Sequence, residues 1–418
     1  MIARRAHAAA AATLLAAAAA RADPPIPVQD PADPADARAV EPARRKPPSP
    51  QERDLPEILA RLTGFWREPD PGPRPESRSH WTLLPLVFSN PLMGFGAGAA
   101  AVGSYRVGPP GSKFSRYEAS AFFTEKGQRG LEIRSGIRPT GDWILSGEWG
   151  IGRFPNPTWG LGPDTPDSAK TVVQRSQVRI HETVYRRVAG DWYGGLGYGY
   201  DLFYDVHDSA TDEGRPSAFT AYGVGTGGRS DASGLMLNAL YDARDNPLNP
   251  TRGSYLLLRY RFEPGLLGSD QDWRSVYLDG RTYLSLRGRN VIAFWAYAWS
   301  SFGETPYLLL PMIGADPEHR SGRGYVEGRY TGKDLLYAEV EWRFHIWDFL
   351  GGVVAASALS VSNRGTGESG PLFDDVHPAV AAGLRALLSK ESRSNLVLDV
   401  GWSPGGMIGF YLNANETF

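Results

Sequence analysis

The most regularly spaced ionisable residues of the chain lie in the segment 336–344. Every second position there is polar or charged: Tyr337, Glu339, Glu341 and Arg343. The positions between them are apolar: Leu336, Ala338, Val340, Trp342 and Phe344. Carboxylate and guanidinium groups on one face can form charge-assisted hydrogen bonds. Because successive side chains of a β-strand point to opposite faces, the segment predicts a strand with one charged face and one apolar face.

Residue types that catalyse reactions are present, but their spacing does not indicate a catalytic site. The seven histidines show no serine or metal-ligand spacing; they include His80, His181, His207, His319, His345 and His377. The glycine-rich segment 194–199 lies in a strand pattern, where glycine accommodates tight packing more often than it binds phosphate. We therefore predict that the protein is not an enzyme and has no catalytic residue, metal site or cofactor.

The alternation of segment 336–344 recurs from His80 to Phe418. Apolar residues alternate with polar ones at Val276, Leu278, Leu284 and Leu286 against Tyr277, Asp279, Arg281 and Tyr283, and at Leu396, Leu398, Val400 and Trp402 against Asn395 and Asp399. The pattern predicts sixteen strands, which start near Thr82, Phe95, Ser115, Gly130, Trp143, Thr171, Trp192, Gly234, Ser254, Asp272, Asn290, Asp334, Gly351, Pro378, Asn395 and Met407. An even number of strands returns both ends of a barrel to the same side.

Strand length and connections separate a barrel in lipid from a one-sided sheet in water. The predicted strands span about 9 to 13 residues, enough to cross a bilayer at a tilt. Short links near 139–142, 189–191, 288–289 and 346–348 alternate with long links near 153–170, 206–232, 302–333 and 362–377. Aromatic rings near strand ends would lie at headgroup depth: Trp273, Trp295, Trp299, Trp342, Trp347 and Trp402. These features predict an all-β fold, a transmembrane antiparallel β-barrel of about 16 strands over 80–418.

The first 79 residues differ in composition from the rest. Residues 1–22 have the charged, apolar and small-residue order of a secretory signal peptide. Residues 23–79 hold 14 prolines, which predicts an extended periplasmic linker because proline removes backbone donors. Within this linker, apolar residues at helical spacing over 54–66 predict a short helix. A tether that becomes helical only transiently is the alternative.

Charge and composition narrow the class of protein and partner. The formal net charge is −2, and no basic stripe is present, which argues against nucleic acid as a partner. No stretch after the signal has the roughly 18 uninterrupted apolar residues of a helical span. We therefore predict an integral protein of the bacterial outer membrane, in contact with outer-membrane lipids and with its N-terminal segment in the periplasm.

Three segments together resemble the C-terminal barrel domain of the BamA/TamA superfamily, the bacterial surface antigen family. The first, 241–253, is similar to a periplasmic turn of the family through Asp242, Arg244, Asp245, Asn246, Pro247, Pro250 and Gly253. The second, Arg323-Gly324-Tyr325, resembles the loop motif of the family, and the third, Glu341-Trp342-Arg343, resembles its E-x-R strand. The resemblance covers about residues 80–418.

The resemblance implies that the loop around Arg323 folds back into the lumen, where Arg323 pairs with acidic side chains of the wall. Glu341, with Glu339 beside it, is expected to supply the acid. An exposed loop with an unpaired arginine is the alternative. The family usually carries another acid on the following strand, but this sequence has only Ser357 near that place, so a weaker anchor is expected. A polar lumen would also be lined by Asp279, Arg281 and Arg343.

The two ends of the sequence also compare with the family. The proline-rich segment 23–79 cannot contain the periplasmic POTRA modules of the superfamily's assembly factors, so the chain resembles a member that lacks them. At the other end, Phe410, Leu412 and Phe418 share one parity. They resemble the terminal strand signal that the barrel-assembly machinery recognises during biogenesis.

The resemblance implies a role in inserting or translocating proteins or lipids at the outer membrane. The seam between the first strand and the last would open, and a client strand would add to its unpaired backbone groups. The alternative is a passive or loop-gated pore with no assembly role.

Overall fold

The computed structural model describes residues 54, 55, 58, 80–90, 94–106, 112–287, 289–364, 371–390, 392–404 and 407–418. The predicted signal peptide lies outside these residues. So does the predicted linker, except that Leu55 and Ile58 are helical and the Ile58 N–H donates to the Asp54 carbonyl at 3.2 Å. Within the described residues, we find no helix with the length and apolarity that crossing a membrane requires.

The described chain forms one sheet of sixteen strands in which each strand pairs antiparallel with the next. The strands are β1 (His80–Asn90), β2 (Gly94–Tyr105), β3 (Ser115–Thr124), β4 (Arg129–Thr140), β5 (Trp143–Thr158), β6 (Thr171–Ala189), β7 (Trp192–Asp208), β8 (Gly228–Asp242), β9 (Gly253–Glu263), β10 (Trp273–Ser285), β11 (Val291–Gly303), β12 (Asp334–Trp347), β13 (Leu350–Ser362), β14 (His377–Ser389), β15 (Ser394–Ser403) and β16 (Met407–Ala414). The predicted number of strands is confirmed.

The predicted strand starts agree with the observed ones within two residues, with β8 as the exception. That strand begins at Gly228 rather than near Gly234, because residues 229–233, four of which are polar, continue the ladder with β7 beyond the apolar pattern. The strands β5, β6 and β7 are likewise longer than predicted, with 16, 19 and 17 residues. Parts of the segments 153–170 and 206–232, predicted as loops, are therefore strand.

The exposed face of the wall is apolar and the buried face is polar. In β12, Val340 and Trp342 are 39% and 44% exposed, whereas Glu339 and Glu341 are 4% and 0% exposed. Other strands expose residues such as Leu196, Leu258, Phe294, Leu384, Leu398 and Phe410. An apolar surface of this extent suits contact with lipid rather than with water. The predicted all-β transmembrane barrel is confirmed.

The tryptophans divide between the two faces. Trp342, Trp347 and Trp402 are exposed on the outer face, as predicted. The prediction for Trp273 and Trp295 is wrong, because both are buried on the inner face. The Trp295 indole donates to the Asp279 carboxylate at 3.1 Å, and inward tryptophans are tolerated where such a partner is present.

Long and short connections lie at opposite ends of the barrel. The long-loop end carries the links that follow β5, β7, β11 and β13. The link after β7 contains two short helices, α1 (Ser209–Asp212) and α2 (Ala218–Tyr222). The short-turn end carries the links that follow β4, β6, β8, β10, β12 and β14. The two ends are thus as unequal as the sequence predicts.

The two terminal strands are the edges of the sheet. Ladders join every consecutive pair from β1 to β16, and in the part of the chain that the structure describes no ladder joins β1 to β16. Side chains of distant strands nevertheless meet in the interior. Arg138 of β4 donates to Asp242 of β8 at 2.6 Å, and Asn415, just after β16, donates to Glu118 of β3 at 3.2 Å.

Candidate functional site

The link between β11 and β12, residues 304–333, enters the barrel interior, and we call it the internal loop. Its two limbs are joined by an isolated bridge between Met312 and Thr331 and by a hydrogen bond from the Ile313 N–H to the Tyr330 carbonyl. Most of its residues are buried, including Leu310, Ile313 and Arg323. The loop therefore occupies the lumen as a folded element.

Arg323 is the centre of contact between the internal loop and the wall. Its Nη1 donates to Asp399 of β15 at 2.7 Å. Its Nη2 donates to Glu341 of β12 at 2.5 Å and also to Glu339. The arginine is 3% exposed, so water screens these contacts little. One guanidinium group thus joins the loop to two strands of the wall.

The wall supplies three acids to Arg323. The structure brings together Arg323, Glu339 and Glu341 as expected from the sequence. Asp399 provides a third carboxylate, which the expectation from the sequence did not include. Ser357 lies opposite Glu339 in the ladder between β12 and β13. The inner position of Asp399 is visible in the sequence, because this residue alternates with the apolar Leu398 and Val400.

Two further arginines hold the acids in place. The Nε of Arg343 donates to Glu341 at 2.6 Å, and the Nη1 of Arg385 donates to Asp399 at 2.5 Å. Arg343 was predicted as part of the anchor, and it acts by orienting Glu341. We call Arg323, Arg343, Arg385, Glu339, Glu341 and Asp399 the Arg323 cluster. Its three guanidinium groups face its three carboxylates, which offsets much of the cost of burying these charges.

Gly324 and Tyr325 place the loop against the last strands. Gly324 has φ +104°, and a Cβ on it would lie 2.8 Å from the backbone of Trp402, so glycine is needed here. Its N–H donates to the Tyr411 hydroxyl of β16 at 2.9 Å, and its carbonyl accepts from Ser403 at 2.8 Å. The Tyr325 hydroxyl donates to the Pro378 carbonyl of β14 at 2.7 Å.

The internal loop also contacts the opposite wall through charged residues. Arg116 of β3 donates to Glu318 at 2.7 Å, and this charge holds the pKa of Glu318 below its usual value although burial acts to raise it. His319 lies 3.8 Å from Glu148 of β5 and 4.0 Å from Glu327. Burial acts to lower the pKa of His319, but the two carboxylates raise it above its ordinary value of 6.5.

The predicted turn motif, 241–253, is a compact set of contacts at the short-turn end. Asp242 is 1% exposed and accepts from Arg244 at 2.9 Å and from Arg138 at 2.6 Å. Asp245 accepts from the N–H and hydroxyl of Thr251, both at 2.8 Å. Each acid therefore has a defined structural partner.

Asn246, the two prolines and Gly253 complete the turn. Asn246 donates to the Ser392 carbonyl at 2.9 Å, which joins this turn to the link after β14. The carbonyl of Pro250 accepts from Arg343 at 3.3 Å, and Pro247 borders an interior cavity. Gly253 has φ +94°, and a Cβ on it would lie 2.2 Å from the Ala243 carbonyl. The turn motif thereby reaches the Arg323 cluster through Pro250.

The predicted terminal signal residues do not share one face. Phe410 and Leu412 are 76% and 45% exposed on the outer face of β16. Phe418 lies after the end of this strand and is buried in the interior. The chain turns at Asn415, whose φ is +65°, so strand parity does not extend to Phe418. Their recognition by an assembly machinery stays a prediction.

The histidines, acids and glycines considered as possible metal or phosphate ligands have other surroundings in the structure. Among the described residues there is no group of three or more His, Cys, Asp or Glu side chains that could hold a metal ion. The glycines of segment 194–199 lie in β7, where the Tyr185 ring would be 2.5 Å from a Cβ on Gly195. These glycines give space to a neighbouring side chain.

An apolar outer face, a sequential antiparallel sheet and a loop anchored in the interior define a β-barrel of the outer-membrane type. Residues 168–318 match the family described as the Omp85 superfamily domain. Residues 168–318 are therefore similar to an Omp85 superfamily domain, and the superfamily resemblance of the sequence is confirmed. No protein in the curated collection of known proteins matches the chain.

One solved structure shows the same fold, and two others are similar to a lesser degree. CdiB from Escherichia coli is 12% identical, with a TM-score of 0.51 over 82% of this chain and 63% of that one. BamA from Haemophilus ducreyi lacking POTRA domains 1–3 is 16% identical, with a TM-score of 0.49 over 82% of this chain and 70% of that one. CdiB from Acinetobacter baumannii is 13% identical, with a TM-score of 0.46 over 80% and 58%. This chain spans less than two thirds of the length of either CdiB chain.

Proposed function

We propose that this protein resides in the bacterial outer membrane and helps polypeptide clients to insert or cross at the edge between β1 and β16. The observation that carries the proposal is the missing ladder between these two strands in the described residues. An edge strand has unpaired N–H and C=O groups to which another strand can add. The superfamily resemblance, which implies protein or lipid handling, supports the same role.

The anchored loop supports the lateral edge rather than the lumen as the site of client contact. The internal loop is held to β12 and β15 by Arg323 and to β3 by Glu318. An extended client passing through the lumen would have to displace these buried ionic contacts, which costs several kcal/mol. Addition of a strand at the edge breaks none of the Arg323 contacts.

We place the short-turn end in the periplasm, together with the N-terminal segment. Outer-membrane barrels carry short turns on the periplasmic side and long loops outside. The outer face then contacts outer-membrane lipids, and the barrel-assembly machinery inserts the protein during biogenesis. The proposed role is not enzymatic and uses no cofactor.

Disulfide crosslinking of the edges tests the proposal. The chain has no cysteine, so each introduced pair gives an unambiguous crosslink. One cysteine replaces Leu83 or Leu86 in β1, and the other is scanned through β16. The purified protein is placed in lipid vesicles, and folding of a urea-denatured barrel client is followed by protection from protease.

We expect oxidation of a β1–β16 pair to abolish client folding and reduction to restore it. The matched control is a cysteine pair at Leu398 and Leu412, which face each other in the existing β15–β16 ladder. That crosslink should leave client folding unchanged. Client folding that continues with the β1–β16 edge sealed would refute the proposal.

A loop-gated pore is the second candidate function. The observation in its favour is the polar inner face, which borders interior cavities of about 130 and 240 Å³. A pore conducts independently of the edge, so sealing β1 to β16 should leave its conductance unchanged. Release of the internal loop should instead raise the conductance.

A further inference from the structure

The four residues after β16, 415–418, turn into the barrel interior, and we call them the post-β16 segment. Asn415, Glu416, Thr417 and Phe418 are between 3% and 6% exposed. An acidic residue and an aromatic residue in this segment are thus removed from both water and lipid. Each of them has its own set of wall contacts.

Glu416 lies in a polar site on the wall. Its Oε2 accepts from the Nε of Arg385 at 2.7 Å, and its Oε1 accepts from Asn395 at 2.5 Å. The Nε of Arg343 lies 3.7 Å from Oε2. Both carboxylate oxygens are therefore bound, which distinguishes an acid from an amide at this position.

The backbone of the segment is also bound. The Glu416 N–H donates to the Leu248 carbonyl of the turn motif at 3.2 Å. Arg320 of the internal loop donates to the Glu416 carbonyl at 2.5 Å. The main-chain oxygen of Phe418 accepts from Arg343 at 2.9 Å. Main-chain contacts of this kind bind an extended peptide regardless of its side chains.

Phe418 lies in an aromatic pocket two residues beyond the acid. Its ring centroid is 5.2 Å from that of Trp295 and 6.3 Å from that of Tyr283. The Arg343 guanidinium lies 5.4 Å from the ring centroid, in the range of a cation–π contact. The pocket therefore favours a flat aromatic ring over an aliphatic side chain.

The site is built by residues that have other contacts of their own. Arg385 also donates to Asp399, Arg343 to Glu341, and the indole of Trp295 to Asp279. These bonds keep the walls in place when the segment leaves. A cavity of about 240 Å³ at the short-turn end adjoins the site and is bordered by Arg343, Arg385, Asn395 and Glu416. A peptide can therefore reach the site from that end.

We propose that this interior surface is a peptide-binding site, which the post-β16 segment occupies in the free protein. Its ligand is an extended polypeptide with a carboxylate two residues before an aromatic ring. The inference deepens the proposed function. It rests on that function in one respect, namely that the ligand is part of a client polypeptide. Displacement of the segment by a client frees residues 415–418 from the wall.

Peptide binding to variants of the full chain tests this proposal. The probe is a fluorescent, C-terminally amidated peptide with the sequence of residues 412–418, and its anisotropy is measured with the purified protein in detergent. The site is vacated by the double variant Glu416→Gln/Phe418→Ala. The matched control peptide carries Gln and Ala at the same two positions.

We expect the double variant to bind the probe at least about tenfold more tightly than the wild type, because in the wild type the post-β16 segment competes with the probe. The control peptide should not bind. Adding Asn395→Ala to the double variant should weaken probe binding. In the wild type the Asn395 amide donates to Glu416, and we expect it to donate to the glutamate of the probe in the same way. If the double variant does not fold, the single variant Phe418→Ala serves in its place.

Equal affinity of wild type and variant for the probe, or equal affinity for probe and control peptide, would overturn the inference. Either result would make residues 415–418 a structural segment only. The test needs no client assembly, so it is independent of the crosslinking experiment. Probe binding without client folding would leave the site standing and reject the proposed function.

Discussion

Replacing Arg323 with alanine removes the group that joins the internal loop to the wall. Three carboxylates, on Glu339, Glu341 and Asp399, then lose a shared partner inside the barrel. Arg343 and Arg385 remain, so two guanidinium groups are left to face the three acids. Both remaining arginines belong to the wall, and neither can hold the loop.

The magnitude follows from burial. Arg323 is 3% exposed, and breaking a buried ion pair by removing one partner costs about 3 to 5 kcal/mol. Part of this free energy is lost in both states of the loop, because the acids of the wall lack Arg323 whether the loop is anchored or released. That part does not change the ratio of released to anchored loop. With about 1.4 kcal/mol for each factor of ten, the ratio of released to anchored loop rises by at most about 100- to 4,000-fold.

Two assays report the released loop. Chymotrypsin cleavage at Tyr325 and Tyr330 measures its population, since both rings are buried in the anchored loop. Conductance in planar bilayers measures whether the lumen opens. We expect faster cleavage and larger or more frequent current steps for Arg323→Ala. Arg323→Lys should lie between, because an ammonium group lacks the planar fork that reaches both strands.

Arg215→Ala is the matched control. Arg215 pairs with Glu213 on the long-loop end, and both side chains are more than half exposed. Loss of an exposed pair costs little, so this variant should behave as the wild type. Cleavage rates and current traces of Arg323→Ala that match the wild type would refute the anchoring role of the arginine.

Three further perturbations test other contacts. Gly401→Ala should make the internal loop more susceptible to chymotrypsin, because the added Cβ would lie 2.4 Å from the Gly324 nitrogen. Gly280→Ala is the control, since its Cβ would make an ordinary 3.7 Å contact, and equal cleavage of the two variants would contradict the steric explanation. The raised pKa of His319 means that its protonated form stabilises the internal loop. Protection of the loop from chymotrypsin should therefore be full below about pH 6.5 and fall as the pH rises through the raised pKa. A His319→Gln variant with the same pH profile would exclude this residue as the cause. Asp242→Asn should destabilise the turn motif by about 3 kcal/mol, because its buried partners are cationic; an unchanged urea midpoint in lipid vesicles would show that these ion pairs do not contribute.

Alternation made the strands and their inner faces predictable. The period of two in segment 336–344 correctly places Glu339, Glu341 and Arg343 inside, because only one face of the wall contacts lipid. The same rule places Asp399 inside but cannot indicate that it meets Arg323. The strands β12, β13 and β14 lie between Arg323 and Asp399 in the chain, and the inward fold of the internal loop brings the two residues together.

Strand parity also explains why the predictions for Trp295 and Phe418 were wrong. Trp295 alternates with outward Phe294 and Ala296, so its inward position is visible in the pattern, whereas its place near a strand end suggested the membrane interface. Phe418 shares the parity of Phe410, but parity holds only while the strand continues. The left-handed conformation of Asn415 marks the end of the strand, and parity alone does not show where a strand ends.

The contacts of the internal loop extend to the edge of the sheet. Gly324 bonds to Tyr411 of β16, and Arg320 bonds to the carbonyl of Glu416 just beyond that strand. Movement of β16 away from β15 would therefore strain the loop, and release of the loop would remove two restraints on β16. These hydrogen bonds couple the lumen contact to the lateral edge, so Arg323→Ala should change the client folding proposed for the edge as well as the conductance of the interior.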